Sequence, residues 1–176
     1  QRQPYVNYNI SRRYDLYCNP FFCARVGGRE VDSNCPPLHT IWTMHTIFYP
    51  GLGETPKQYK SLAKHMTVAE IDWNTGKATS AKGCDTVVSF SLGAVFSLDI
   101  ALKKKLKKLI LCSPTPFEML GDHKAEEVIF LIGEKEEYLQ KVFKPLCRKG
   151  VRMVIVPNAD HRLDRDYQKV LLEQIQ

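Results

Sequence analysis

Val87-Val88-Ser89-Phe90-Ser91-Leu92-Gly93-Ala94 is the segment on which the reading of the fold turns. An apolar run leads into a serine with small residues two positions away on each side. Val95, Leu98, Leu102 and Leu106 then recur at helical spacing. A serine on a sharp strand-to-helix turn needs small neighbours, because backbone and side chains crowd the bend. Such a turn lifts Oγ to the top of the sheet, beside the positive end of the following helix. The Leu92 N–H would then point to where an oxyanion develops. The plainer reading is a polar helix start that Ser91 merely caps.

On either side of this segment, apolar runs alternate with helical patterns from residue 39 onward. Ile41 to Tyr49 is a strand candidate ending in Pro50-Gly51, and Tyr59, Leu62, Ala63 and Met66 follow at helical spacing. Thr67 to Trp73 reads as the next strand, Thr86 to Phe90 as a short buried one, and Lys108 to Cys112 and Glu127 to Ile132 as two more. Leu139, Val142, Phe143 and Leu146 form a helical stripe closed by Gly150. Val151 to Val156 is the last strand, and Leu163, Tyr167, Val170, Leu171 and Ile175 line a terminal helix. Alternating β and α units predict an α/β fold, a mostly parallel sheet with helices on both faces. Ligands in such folds bind at the carboxyl ends of the strands, near a topological switch.

The N-terminal part differs. Gln1 to Tyr14 is polar and tyrosine-rich, and Phe21 to Val31 reads as a hairpin around Gly27-Gly28 that would add strands to one sheet edge. The expected organisation is an extension over residues 1–20 and a single domain over 21–176. At 176 residues, the chain suffices for one core. The apolar runs are strand-sized, so no transmembrane helix is expected. Gln1 to Tyr8 lack a signal peptide's apolar run, and a start at Gln suggests a processed or trimmed product. Cytoplasm is the expected compartment, with a secreted form left open by the Asn9-Ile10-Ser11 sequon.

The net charge of +6 owes much to Lys103, Lys104, Lys105, Lys107 and Lys108. No aromatic residues interleave with them as stacking on bases would require, so a solvated helix end is expected in place of a nucleic-acid or membrane patch. The six cysteines include no CxxC pair, which argues against a zinc site. Cys112 reads as a core residue. One disulfide among Cys18, Cys23 and Cys35 stays open.

Three further segments lie where acyl-transfer chemistry by Ser91 needs them. Phe48-Tyr49-Pro50-Gly51-Leu52-Gly53 follows the first core strand, and its turn can present the Leu52 N–H as a second oxyanion donor. Glu134-Lys135-Glu136-Glu137 follows the strand ending at Gly133, where a carboxylate can orient a histidine. Glu136 is the first choice and Glu137 the second, with Glu118 and Asp122 as reserves. Asn158-Ala159-Asp160-His161 places a histidine after the last strand. Taken singly, each also reads as an ordinary turn, an acidic helix start or a surface loop.

From about Ile41 to the C-terminus these segments resemble the α/β-hydrolase superfamily. Ser89-Phe90-Ser91-Leu92-Gly93 looks like its G-x-S-x-G elbow, and Tyr49 to Gly53 looks like its oxyanion turn. Gly133-Glu134-Lys135-Glu136 looks like its Gly-x-x-Asp motif, and Asn158 to His161 like its Gly-x-x-His loop. The order Ser, acid, His matches as well. The departures are Ser89 for Gly, Glu136 for Asp and Tyr49 for His. The 73–86 interval is short for a crossover helix, and 112–127 leaves no room for a cap. The resemblance implies a small, cap-less serine esterase or thioesterase with an open site and no cofactor or metal. Ser91 is its nucleophile, His161 its base, Glu136 its acid, and Leu52 and Leu92 its oxyanion donors. An acyltransferase with the same triad and a non-catalytic binding protein of the same fold remain the alternatives.

Overall fold

The computed structural model of the chain describes residues 45–115 and 123–176. The hairpin expected at Phe21 to Val31, Cys18, Cys23 and Cys35, and the reserve acids Glu118 and Asp122 lie outside those residues. Residues 40–176 form one unit, and its described part is an α/β structure built on a six-stranded parallel sheet.

The strands in chain order are β1 (Thr46–Tyr49), β2 (Thr67–Val68), β3 (Ile71–Asp72), β4 (Lys77–Ala78), β5 (Thr86–Phe90), β6 (Leu106–Cys112), β7 (Ala125–Gly133) and β8 (Val151–Val156). The helices are α1 (Ala94–Lys103), α2 (Glu137–Phe143) and α3 (Arg165–Ile175). The main sheet runs β2-β1-β5-β6-β7-β8, with every neighbouring pair parallel. The chain moves outward from β1 to β2 and then returns to β5 on the other side of β1. The strand order therefore reverses between β1 and β5, where such sheets open a crevice at their carboxyl ends.

The strands are buried on both faces because alternate residues enter two different cores. Ile47, Val87, Leu109, Leu111, Phe130 and Ile132 pack with Ala94, Leu98 and Ala101 of α1 and with Leu139 and Phe143 of α2. Phe48, Val88, Phe90, Ile110, Ile129 and Leu131 pack with Tyr167 and Leu171 of α3 and with Tyr59, Leu62 and Met66. Helices thus cover both faces, as the alternating pattern predicts.

Several local expectations are corrected. Tyr59 to Met66 forms two short 3₁₀ turns, Pro56–Tyr59 and Leu62–Lys64, in place of an α-helix. The three-residue step from Tyr59 to Leu62 suits a three-residue turn as well as an α-helix, so the stripe alone did not discriminate. The expected strand Thr67 to Trp73 splits into β2 and β3, and β3 pairs antiparallel with β4 in a separate two-stranded sheet. Asp72 causes the turn between them: its carboxylate accepts the N–H groups of Asn74 (3.0 Å) and Thr75 (3.3 Å) and the Thr75 hydroxyl (2.7 Å). This hairpin occupies the interval judged too short for a crossover helix.

Leu106 opens β6 and does not extend α1. Leu146 lies in a 3₁₀ turn after α2. Gly150, with φ +81°, serves the turn into β8 and does not cap the helix. Leu163 precedes α3, whose N-cap is Asp164, accepting the Tyr167 N–H at 3.0 Å.

The lysine run starts at a helix end, as expected, but continues into a strand. Only Lys103 is helical, while Lys107 and Lys108 belong to β6. Lys103, Lys105 and Lys107 pair with Asp99 (2.7 Å), Glu126 (2.8 Å) and Asp85 (2.6 Å). Lys104 donates to the carbonyls of Ala81 and Cys84, and Lys108 donates to that of Gln174 at 2.6 Å. These partners lower the local positive field and tie the amino-terminal edge of the sheet together. No described helix is long and apolar enough to cross a membrane.

Candidate active site

Ser91 follows β5 directly and opens a 3₁₀ turn, Ser91–Gly93, that leads into α1. Its φ is +50°, in the left-handed region that costs a non-glycine residue roughly 1–3 kcal/mol. Gly93 makes this bend possible. A Cβ there would lie 2.3 Å from the Tyr49 carbonyl oxygen and 2.4 Å from that of Pro50. The elbow after β5 therefore packs directly on the turn after β1. Ser89, which stands where the resemblance has glycine, is fully buried, and its hydroxyl shares a 2.8 Å hydrogen bond with Ser97.

Gly93→Ala is expected to lower stability by about 1–3 kcal/mol or more, because backbone rather than a flexible side chain meets the new methyl. Urea unfolding measures this effect, and an unchanged midpoint would show that the close approach is absent.

His161 lies beyond the end of β8, and Glu136 immediately precedes α2, beyond the end of β7. Their loops are joined through backbone. The N–H groups of Glu134 and Lys135 donate to the carbonyls of Val156 (2.9 Å) and Ala159 (3.0 Å), and the Asn158 N–H donates to the Glu134 carboxylate (2.7 Å). Gly133 permits this contact, since a Cβ there would lie 2.7 Å from the Ala159 oxygen.

The three side chains meet in one line. Ser91 Oγ is 2.9 Å from His161 Nε2, and His161 Nδ1 is 2.7 Å from Glu136 Oε1. An ionised carboxylate only accepts, so Nδ1 carries the imidazole proton and Nε2 is free to accept that of Ser91. The Phe90 ring lies against the imidazole, with centroids 5.2 Å apart.

Glu136 is 8% exposed and His161 51%. Burial alone would raise the Glu136 pKa. Hydrogen bonds from His161, the Ser113 hydroxyl and the Gly133 N–H outweigh it and hold the carboxyl below the ordinary glutamate value. The hydrogen bond to Glu136 raises the pKa of His161. Burial works against that rise, while the negative charges of Glu136, Glu54 and Asp160 add to it. Glu137, the second choice for the acid, lies in solvent with Lys141 3.8 Å away.

Leu92 is the second residue of the elbow turn, and Leu52 sits in the turn after β1 with its side chain exposed. Among the described residues, neither N–H is given to a backbone carbonyl. The β1 turn is held by Glu54, which accepts the Gly51 N–H at 2.6 Å and donates its own N–H to the Gly51 carbonyl at 3.2 Å.

Glu54, Ser113 and Tyr167 are the site-lining residues that sequence reasoning missed. Tyr167 was legible only as part of an apolar stripe. Ser113 carried a usable signal, a polar residue at the carboxyl end of a buried strand. Among the described residues, no group of three or more His, Cys, Asp or Glu side chains is arranged to hold a metal ion. Cys84, Cys112 and Cys147 are free thiols.

No family model, curated protein or solved structure matches this chain.

Proposed function

We propose that this chain is a serine hydrolase of the α/β-hydrolase type, cleaving a carboxylic ester or thioester. The observation that carries the reading is the unbroken line Ser91–His161–Glu136, with hydrogen bonds of 2.9 and 2.7 Å, beside the point where the strand order reverses. A serine held at positive φ and hydrogen-bonded to an imidazole whose other nitrogen meets a carboxylate has the geometry of an activated nucleophile.

In this mechanism, Ser91 Oγ attacks the acyl carbonyl while His161 Nε2 takes its proton. Glu136 keeps the proton on Nδ1 and stabilises the imidazolium that forms. The N–H groups of Leu52 and Leu92 hold the oxyanion, a contribution of roughly 3–4 kcal/mol per donor in enzymes where one has been removed. His161 then returns the proton to the departing alkoxide or thiolate. Water, deprotonated by His161 in turn, attacks the acyl-enzyme, and the acid leaves with Ser91 restored. The half-exposed imidazole is open to water, which supports reading the second step as hydrolysis.

The reading is tested by incubation with a serine-reactive fluorophosphonate, followed by mass mapping. One stoichiometric adduct on Ser91 is expected. Labelling that is absent, or scattered over other serines, would overturn the enzyme reading and leave a binding protein of the same fold.

A further inference from the structure

Ser113, the residue immediately after β6, is fully buried and has φ +41°. Its backbone N–H continues the sheet ladder to the Leu131 carbonyl at 2.8 Å. Its hydroxyl donates to Glu136 Oε2 at 2.5 Å, the oxygen not used by His161. On the other side, the Ser113 oxygen lies 2.9 Å from the Tyr167 hydroxyl, which also donates to the Leu131 carbonyl. The Gly133 N–H reaches the same Glu136 oxygen at 2.7 Å.

The proton directions follow from what each group can do. An ionised carboxylate has no proton to give, so the Ser113 proton must point to Glu136. The Tyr167 hydroxyl gives its proton to the Leu131 carbonyl, which can only accept, and its oxygen lies against that of Ser113. Ser113 is thus held between the Tyr167 hydroxyl and Glu136, with its proton committed to the carboxylate. A left-handed backbone at a buried, non-glycine position is strained, and here it aims the hydroxyl at the carboxylate.

We propose that Ser113 is a positioning residue for the triad: its hydroxyl, backed by Tyr167, fixes the glutamate rotamer in which Oε1 faces His161. The inference rests on the serine-hydrolase reading. Glutamate needs this support because its side chain has one more rotatable bond than aspartate. With Ser113 absent, Oε2 keeps only the Gly133 N–H among the described residues, and the carboxylate can turn away from the imidazole.

The test is Ser113→Gly, which removes the hydroxyl at a backbone angle that glycine adopts without strain. Two quantities are measured on folded protein: the rate of fluorophosphonate labelling at Ser91, and the proton resonance of His161 Nδ1–H. Labelling is expected to slow by about 10- to 100-fold, the range seen when the hydrogen-bond partners that orient metal-ligating histidines and carboxylates are removed. The far-downfield resonance expected for the wild type should move upfield or broaden beyond detection.

A purely structural Ser113 would lower stability and leave both quantities unchanged, and that result overturns the proposal. Should Ser113→Gly fail to fold, Tyr167→Phe carries the test. It should move both quantities in the same direction by a smaller amount, and no movement overturns the proposal equally. A wild-type protein that does not label at Ser91 defeats the hydrolase reading instead, while the resonance still reports on Ser113.

Discussion

Ser91→Ala is expected to lower ester hydrolysis by on the order of 10⁴- to 10⁶-fold while leaving the fold intact. The substitution removes only the oxygen that lies 2.9 Å from His161 Nε2. It also relieves no packing, since the Ser91 side chain is partly exposed. His161→Ala should be comparably damaging, because without a base the hydroxyl keeps its proton at neutral pH. The two losses should not multiply. Each variant disables the same proton transfer, so the double variant should retain about the activity of either single one. The residual rate would come from the oxyanion donors and from binding, which neither change touches. The check is kcat measured for the two singles and the double on one activated ester. A double loss equal to the product of the singles would show that Ser91 and His161 do not act as a unit.

Glu136→Gln is expected to reduce kcat by roughly 10³- to 10⁴-fold, with Glu137→Gln nearly silent. The amide keeps the size of the side chain. It can, however, donate to Nδ1, and that leaves the imidazole proton on Nε2, where it blocks acceptance from Ser91.

A pH effect accompanies the loss. Activity needs neutral His161, so kcat/KM rises with pH through the His161 pKa. That pKa lies above the ordinary histidine value of about 6.5 because of the Glu136 hydrogen bond and nearby negative charge. Removing the Glu136 charge should move the acid limb of the profile to lower pH. The stability contribution of the raised histidine has the opposite sense. It is fully present below the unfolded-state pKa and is lost as pH rises through the folded-state pKa. For Glu136, whose pKa is depressed, the contribution is present above the unfolded-state value and is lost as pH falls through the folded-state value. The ion pair of protonated His161 and ionised Glu136 is thus strongest between the unfolded-state pKa values of the two groups, below the pH at which the site becomes active. A pH–kcat/KM profile of Glu136→Gln that keeps the wild-type acid limb would remove Glu136 from the triad.

Much of the scaffold was legible along the chain. The buried run Thr86 to Phe90, the turn at Ser91 and the alternation of strand-length and helix-length patterns announce a parallel sheet covered on both faces. The sheet is what those patterns produce, because the period of an apolar pattern is the period of the backbone that buries it. The weaker boundaries were those where two backbones share a spacing, as at Tyr59 and Leu62. Others failed where a polar side chain turned the chain inside an apolar stretch, as Asp72 does.

The sequence by itself determined the main strands, the α/β alternation and the order of the candidate site residues, with Ser91, Glu136 and His161 each following a strand. Only the tertiary structure decided between Glu136 and Glu137, placed Ser113 and Tyr167 behind the carboxylate, and gave the lysine run its acidic and carbonyl partners. Adjacent glutamates have nearly the same local environment in sequence. They differ in direction, since one precedes α2 facing the β8 loop and the other starts the helix facing water. The hydrogen bond from His161 that singles out Glu136 spans 25 positions, and the one that joins His161 to Ser91 spans 70. Contacts of that range are set by strand order and by backbone approaches such as that of Gly133 to Ala159, which no local window of the sequence contains.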